Sequence, residues 1–96
     1  MKPLFIPLKS EYFEAFASGK KNSEYRPYGP RWNERTCLIG RPVTLSKGYG
    51  KKHRLSGVIA QYFVYFRSSH LPDYERCYGP SRLPVAVIVI RLDGAQ

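Results

Sequence analysis

The segment GKKNSEYR, residues 19–26, holds three side chains that can take part in hydrolysis. A lysine such as Lys21 can act as a base or hold a developing negative charge. The hydroxyl of Ser23 can attack a carbonyl carbon once a base removes its proton. The carboxylate of Glu24 can instead position or activate water. These residue types, so close together, indicate a catalytic centre around Lys21.

Strand geometry divides these side chains into two sets. Successive side chains of an extended segment point to opposite faces, so Lys21, Ser23 and Tyr25 share one face. Glu24 and Arg26 then share the other face. In this arrangement Lys21 takes the proton of the Ser23 hydroxyl, which becomes the nucleophile.

A lysine accepts a proton only in its neutral form, which neighbouring cations such as Lys20 and Arg26 favour. Two other arrangements stay open. If the turn after Gly19 brings Lys21 over to Glu24, the carboxylate would activate water and the lysine would bind an oxyanion. Alternatively, Glu24 and Arg26 form an ion pair on the sheet and Lys21 is solvated.

The same segment resembles the signature of a known family. Read as GxKxxExR, it is similar to the motif of the ASCH domain, a branch of the PUA-like β-barrels, and the resemblance covers about residues 4 to 92. The chain looks like the short ASCH proteins carried by prophages. The resemblance implies an association with RNA or modified bases. Some small ASCH proteins are amidohydrolases that remove the acyl group from N(4)-acetylcytidine.

In those amidohydrolases the motif lysine acts with a threonine and a downstream acid. The resemblance places the lysine at Lys21 and the threonine position at Glu24, which departs from the family pattern. A carboxylate does not replace a hydroxyl nucleophile, so either Ser23 takes the role, or Glu24 activates water, or the activity is missing. The downstream acid has two candidates, Asp73 and Glu75, and Glu75 is preferred.

Aromatic and basic residues near the motif would suit a nucleobase substrate. Tyr25 and Trp32 are expected to stack on the base, because bases stack well on aromatic faces. Trp32 lies in a polar stretch and is expected to be exposed. Arg26 would hold Glu24 in place, and Lys20 would add a cation for substrate binding. Ordinary core packing is the alternative for any single tyrosine.

Positive charge is concentrated in the middle of the chain. The formal net charge is +9, and residues 19–54 contain ten basic residues against Glu24 and Glu34, a balance of +8. Such a surface attracts phosphates or another acidic partner. A non-catalytic RNA-binding or modified-base-reading module, or a ribonuclease, is therefore the alternative function. The glycine-containing loop at residues 48–53 is either a turn with solvated lysines or a contact for a nucleic-acid backbone.

The sequence predicts a cytoplasmic protein without a metal or an organic cofactor. No apolar run reaches the roughly 20 residues of a membrane span, and the start is too short and too proline-rich for a signal peptide. Cys37 and Cys77 form no CxxC pair, and His53 and His70 have no ligand-like spacing to them. The two cysteines are expected to be buried or inert.

The local patterns predict one domain over residues 1–96, a small α+β barrel, and the resemblance implies that it is of the PUA-like (ASCH) type. It would have about five strands and one main helix after the first strand. Ser10 is expected to cap the helix and Gly19 to end it. Residues 31–35 are expected to form a loop or one helical turn, and residues 68–83 to be irregular. The strands are expected at residues 4–8 on a sheet edge, 23–28, 41–47 and 54–66 as a hairpin, and 84–92 at the sheet centre.

Overall fold

In the part of the chain that the structure describes, five strands and one helix form an α+β structure with a curled, half-barrel sheet. The computed structural model describes residues 1–66 and 84–94. The elements are β1 (Leu4–Leu8), α1 (Ser10–Ala17), β2 (Ser23–Pro27), β3 (Pro42–Lys47), β4 (Arg54–Tyr65) and β5 (Val85–Leu92). This confirms the predicted fold class, with one helix after the first strand.

The sheet has the strand order β1-β3-β4-β5-β2. β1 pairs with β3 in parallel, and the other neighbouring strands are antiparallel. The predicted edge position of β1 is therefore confirmed, as are the β3–β4 hairpin and the interior position of β5. An edge tolerates the proline in β1, and residues that are apolar on both faces suit an interior strand.

One irregularity in β4 accompanies the curl of the sheet. The pairing of β4 with β5 shifts register between Ile59 and Gln61, which leaves Ala60 as an extra residue. A bulge of this kind bends a strand and increases its twist. The bend helps the long β4 to curve around the core.

The helix buries one apolar face and ends at a glycine. Tyr12, Phe13 and Phe16 are buried, as the helical spacing predicts. The prediction that Ser10 caps the helix is wrong, because the capping position is Lys9, one residue earlier, whose carbonyl accepts the first helical hydrogen bonds. Gly19 has a φ of +81°, which confirms it as the residue where the chain turns away after the helix.

The core lies between α1 and the inner face of the sheet. Cys37 is buried in it, and burial raises the pKa of its thiol, which disfavours the reactive thiolate. This confirms the expectation for Cys37, while Cys77 lies outside the described residues. The buried cluster consists of Ile6, Leu8, Tyr12, Phe13, Phe16, Trp32, Cys37, Val43, Leu45, Ile59, Ala86, Ile88 and Ile90.

Gly57 allows β4 and β5 to approach closely. A Cβ atom at this position would lie 2.5 Å from the Arg91 carbonyl oxygen, which is backbone and has little room to move. We expect Gly57→Ala to lower the free energy of unfolding by about 1 to 3 kcal/mol, the usual cost of overpacking. Urea unfolding of the two proteins measures this. The matched control is Gly50→Ala, which meets no atom within 4 Å; equal stabilities for both variants would contradict the expectation.

Tyr62 carries a buried hydroxyl that finds no hydrogen-bond partner among the described residues. Burial raises the pKa of Tyr62 from 10.0 to about 12. The unfolded chain therefore loses this proton first as the pH rises, and this residue's contribution to folding stability decreases between about pH 10 and 12.

We expect Tyr62→Phe to raise the free energy of unfolding by about 1 kcal/mol at pH 7, because it removes a buried hydroxyl that has no partner in the described part of the chain. The variant should also lose less stability than the wild type between pH 9 and pH 12. Urea unfolding across this pH range measures both effects. A variant clearly less stable than the wild type at pH 7 would show that the hydroxyl has a favourable partner.

Candidate functional site

The turn between α1 and β2 is held by backbone hydrogen bonds at both ends. At the helix end, the N–H of Lys21 donates to the carbonyl of Ala15 at 3.1 Å. At the strand end, the N–H of Ile90 donates to the carbonyl of Asn22 at 2.8 Å. The left-handed conformation of Gly19 makes the reversal possible. The turn therefore presents its side chains from a defined backbone.

A cavity of about 490 Å³ lies between this turn, the helix and the start of β2. That volume falls within the range of sites that bind small molecules. Four of the predicted site residues share it: Lys20, Lys21, Ser23 and Tyr25. The complete lining is Glu11, Tyr12, Ala15, Gly19, Lys20, Lys21, Asn22, Ser23 and Tyr25.

The ammonium group of Lys21 lies among aromatic rings. Its Nζ is 4.5 Å from the ring centre of Tyr25, 5.4 Å from that of Tyr12 and 5.9 Å from that of Phe16. Cations are attracted to the faces of such rings at these distances. The rings come from both the helix and β2, so they orient the lysine against the cavity wall.

The Ser23 hydroxyl is partly buried at the start of β2. It donates a hydrogen bond to Oδ1 of Asn22 at 3.0 Å. This bond orients the hydroxyl while the oxygen keeps its lone pairs, which a nucleophile needs. Ser23 and Lys21 both line the cavity, Ser23 from the first position of β2 and Lys21 from the turn before it.

Glu24 points to the opposite face of β2 and is 8% exposed. Its Oε2 accepts hydrogen bonds from Nε and Nη2 of Arg26, at 3.0 Å and 2.8 Å. Nη2 also donates to the carbonyl of Pro7. Glu24 pairs across the sheet with the buried Ile88, so its side chain belongs to the core face. Of the arrangements that the sequence left open for Glu24, the structure contains the ion pair, and Glu24 does not line the cavity.

The expectation that Trp32 is exposed is wrong, because its side chain is 8% exposed and belongs to the core. The guanidinium groups of Arg26 and Arg31 lie 5.0 Å and 5.2 Å from its ring centre. Trp32 and Gly29 exchange two backbone hydrogen bonds, so the polar loop satisfies its own backbone groups and turns the indole inward. Trp32 does not line the cavity.

Sequence reasoning missed Glu11 as a residue of the cavity. Glu11 lies in the first turn of α1, where the helix dipole favours an acid, and Tyr12 is buried in the core. Together with Ala15, they lie on the side of the helix that faces the turn. Helical spacing alone groups these three residues on one side of the helix. It does not indicate that the chain reverses at Gly19 and places the next strand beside them.

Part of the predicted site lies outside the described residues. This concerns Glu75 and its alternative Asp73, so their role as the downstream acid stays a prediction. Within residues 1–66 and 84–94, no group of three or more His, Cys, Asp or Glu side chains is arranged to hold a metal ion. Over the same part of the chain, no helix is long and apolar enough to cross a membrane.

Comparisons with known proteins support the fold. No known family profile matches the chain, and neither does any curated protein. Among solved structures, the crystal structure of hypothetical protein PH0355 is similar, with a TM-score of 0.68 and 21% sequence identity. The similarity covers 92% of this chain and 96% of that one. The shared compact mixed sheet is compatible with a small PUA-like fold, and at this identity the likeness shows the fold alone.

Proposed function

We propose that this chain is an ASCH-type amidohydrolase of the PUA-like class, acting in the cytoplasm. It removes the acyl group from N(4)-acylated cytosine nucleosides such as N(4)-acetylcytidine. The observation that supports this best is the cavity that Lys21, Ser23 and Tyr25 share. A lysine, a hydroxyl and an aromatic ring on one cavity are groups that can bind a nucleobase and hydrolyse an amide attached to it.

The first half of the reaction transfers the acyl group to the enzyme. Lys21 Nζ first releases a proton to solvent, and it then takes the hydroxyl proton as Ser23 Oγ attacks the acyl carbon. The resulting oxyanion is stabilised by the neighbouring ammonium of Lys20. When the tetrahedral intermediate collapses, the bond from the acyl carbon to N4 breaks. Lys21 donates its proton to N4, cytidine leaves, and an ester on Ser23 remains.

The second half releases the acid. Water attacks the ester carbon, and Lys21 Nζ takes a proton from it. The bond between the acyl carbon and Ser23 Oγ then breaks, and Lys21 returns the proton to the serine oxygen. The carboxylic acid leaves, and the enzyme is restored with no metal or organic cofactor consumed.

Other residues bind the substrate or support β2. Tyr25 provides a face on which the cytosine ring stacks, although the same ring also contacts Lys21. Glu11 supplies a carboxylate on the helix side of the cavity. Arg26 and Glu24 support β2 from its other face through their ion pair. In this assignment Ser23, rather than water activated by Glu24, is the nucleophile, because Glu24 does not line the cavity.

Direct turnover tests the proposal. Purified protein is mixed with N(4)-acetylcytidine, and the ultraviolet change that accompanies conversion to cytidine is followed. The expected result is multiple turnovers that remain after metal chelation with EDTA. Conversion no faster than in buffer, for N(4)-acetylcytidine and for longer N(4)-acyl cytidines alike, would overturn the proposed function.

A further inference from the structure

We infer that the loop of the β3–β4 hairpin binds single-stranded nucleic acid, at a surface made of residues that do not line the cavity. This surface, called here the hairpin cluster, consists of Tyr49, Lys51, Lys52 and Arg54, with Phe5 beneath it. It goes beyond the proposed function and does not depend on it, because none of these residues lines the cavity of about 490 Å³.

The hairpin cluster is strongly positive. Residues 46–54 contain no Asp or Glu, and Lys51, Lys52 and Arg54 are all exposed. Among the described residues, Lys47 differs from these three cations because it has a carboxylate partner. Its Nζ lies 3.0 Å from Oε1 of Glu14. The remaining cations therefore form a surface of one sign, which attracts phosphate groups.

An aromatic platform lies within this positive surface. Tyr49 is 81% exposed, and its ring centre lies 6.2 Å from that of Phe5. The guanidinium group of Arg54 lies 5.3 Å from the centre of the same Phe5 ring. Phe5 thus supports a stacking surface and a cation side by side. Proteins that bind single strands combine cations for the backbone with aromatic rings for the bases.

The loop is also held in shape. The N–H of Lys47 donates to the carbonyl of His53 at 3.0 Å, which closes the hairpin. The carbonyl of Gly50 accepts from Ser46 Oγ at 3.0 Å. The N–H of Gly48 donates to the carbonyl of Leu8 at 2.9 Å, which ties the loop to β1. A loop with few conformations to lose pays a smaller entropic cost on binding.

These features favour a single strand over the other anionic partners. An exposed ring among cations can stack on an unpaired base, whereas the bases of a duplex are already stacked on one another. An anionic lipid surface would use the same cations and would need no base to stack on the ring. Stacking on Tyr49 therefore distinguishes the proposed partner.

The test measures fluorescence anisotropy of a labelled 12-nucleotide oligouridine, and of oligothymidine, with the full chain. We expect both to bind, a 12-base-pair duplex to bind more weakly, and Tyr49→Ala to weaken binding of the single strands about 10-fold. Tyr49→Phe keeps the ring and should bind like the wild type. The double variant Lys51→Gln with Lys52→Gln should reduce the slope of log K against log salt by about 1.4, which corresponds to two phosphate contacts.

A matched control removes the same charge elsewhere. Lys2→Gln with Arg91→Gln also replaces two exposed cations and should leave the salt slope close to that of the wild type. Melting curves of all variants verify that they fold, which is expected because each changed side chain is exposed. Losses of equal size in the control and hairpin double variants would overturn the inference, because they would show that only the net charge matters.

Three further outcomes would also overturn it. Binding that is lost in Lys20→Gln but kept in the hairpin variants would place the strand at the cavity. Hairpin-dependent binding to vesicles containing 30% phosphatidylserine, without oligonucleotide binding, would identify a membrane surface. No binding of either oligonucleotide at 20 mM salt would exclude the surface altogether. A failure in the deacylation assay has no bearing on any of these measurements.

Discussion

Replacing Lys21 by alanine is expected to lower kcat for the hydrolysis of N(4)-acetylcytidine by about 100- to 10,000-fold, the usual contribution of a positioned acid–base group. In the proposed mechanism this one side chain moves a proton in every step. The Tyr25 ring, whose centre lies 4.5 Å from Lys21 Nζ, is unchanged in the variant. The loss of activity therefore reports on the lysine itself. Steady-state kinetics of the purified variant measure the loss.

The matched comparison is Lys20→Ala, which removes a cation from the same cavity but not the proposed base. It should affect KM and the oxyanion interaction, and its kcat should fall less than that of Lys21→Ala. Lys21→Arg keeps the charge and should remain as inactive as Lys21→Ala, since a guanidinium does not lose its proton. A Lys21→Ala enzyme with the kcat of the wild type would refute the mechanism.

Two further variants decide between the nucleophiles. Ser23→Ala is expected to abolish turnover, because it removes the oxygen that forms the ester. Glu24→Gln is expected to keep activity in protein that remains folded, since its side chain is buried on the other face of β2. Activity in Ser23→Ala, combined with its loss in folded Glu24→Gln, would instead support attack by water.

The second large effect is expected on stability. Arg26→Ala should lower the free energy of unfolding by about 3 to 5 kcal/mol, because it leaves the buried Glu24 carboxylate without its partner. Two hydrogen bonds to Oε2 of Glu24 and one to the carbonyl of Pro7 are lost together. Because 1 kcal/mol corresponds to about 4 to 8 °C in a domain of this size, Tm should fall by more than about 10 °C.

Arg31→Ala is the control for this prediction. Arg31 contacts the ring of Trp32 at nearly the same distance as Arg26, but it is exposed and no ion pair of Arg31 is present among the described residues. Its removal should cost less than about 1 kcal/mol. The double variant Arg26→Met with Glu24→Leu should recover much of the loss, since it removes both charges. Equal losses for Arg26→Ala and Arg31→Ala would show that packing on Trp32, and not the ion pair, stabilises β2.

The strands could be predicted from the sequence because their signals are local. The apolar run that begins at Val85 predicts an interior strand wherever it lies in the fold, and β5 is one. Alternation along residues 23–26 likewise separates Ser23 from Glu24 without any knowledge of the sheet. The Ser10 prediction failed because β1 ends at Leu8, so that Lys9, with extended φ and ψ, is the cap residue and Ser10 is already helical.

The errors at the candidate site concern contacts between distant residues. Whether Trp32 is exposed depends on the loop hydrogen bonds with Gly29 and on the guanidinium group of Arg26 beneath the ring. Glu11 joins the cavity because the chain reverses at Gly19 and packs β2 beside the helix. Neither fact has a signature in a short stretch of residues, since each depends on how separate elements pack.

The sequence by itself determined the types of element, the excess of positive charge and the opposite faces of β2 on which Ser23 and Glu24 lie. These properties follow from the local periodicity of side chains and from composition. Only the tertiary structure decided that Glu24 forms an ion pair with Arg26 on the core face. It also decided that Lys21 and Ser23 share a cavity with Glu11. The reason is that a buried carboxylate requires a partner, whereas a cavity requires walls from more than one element.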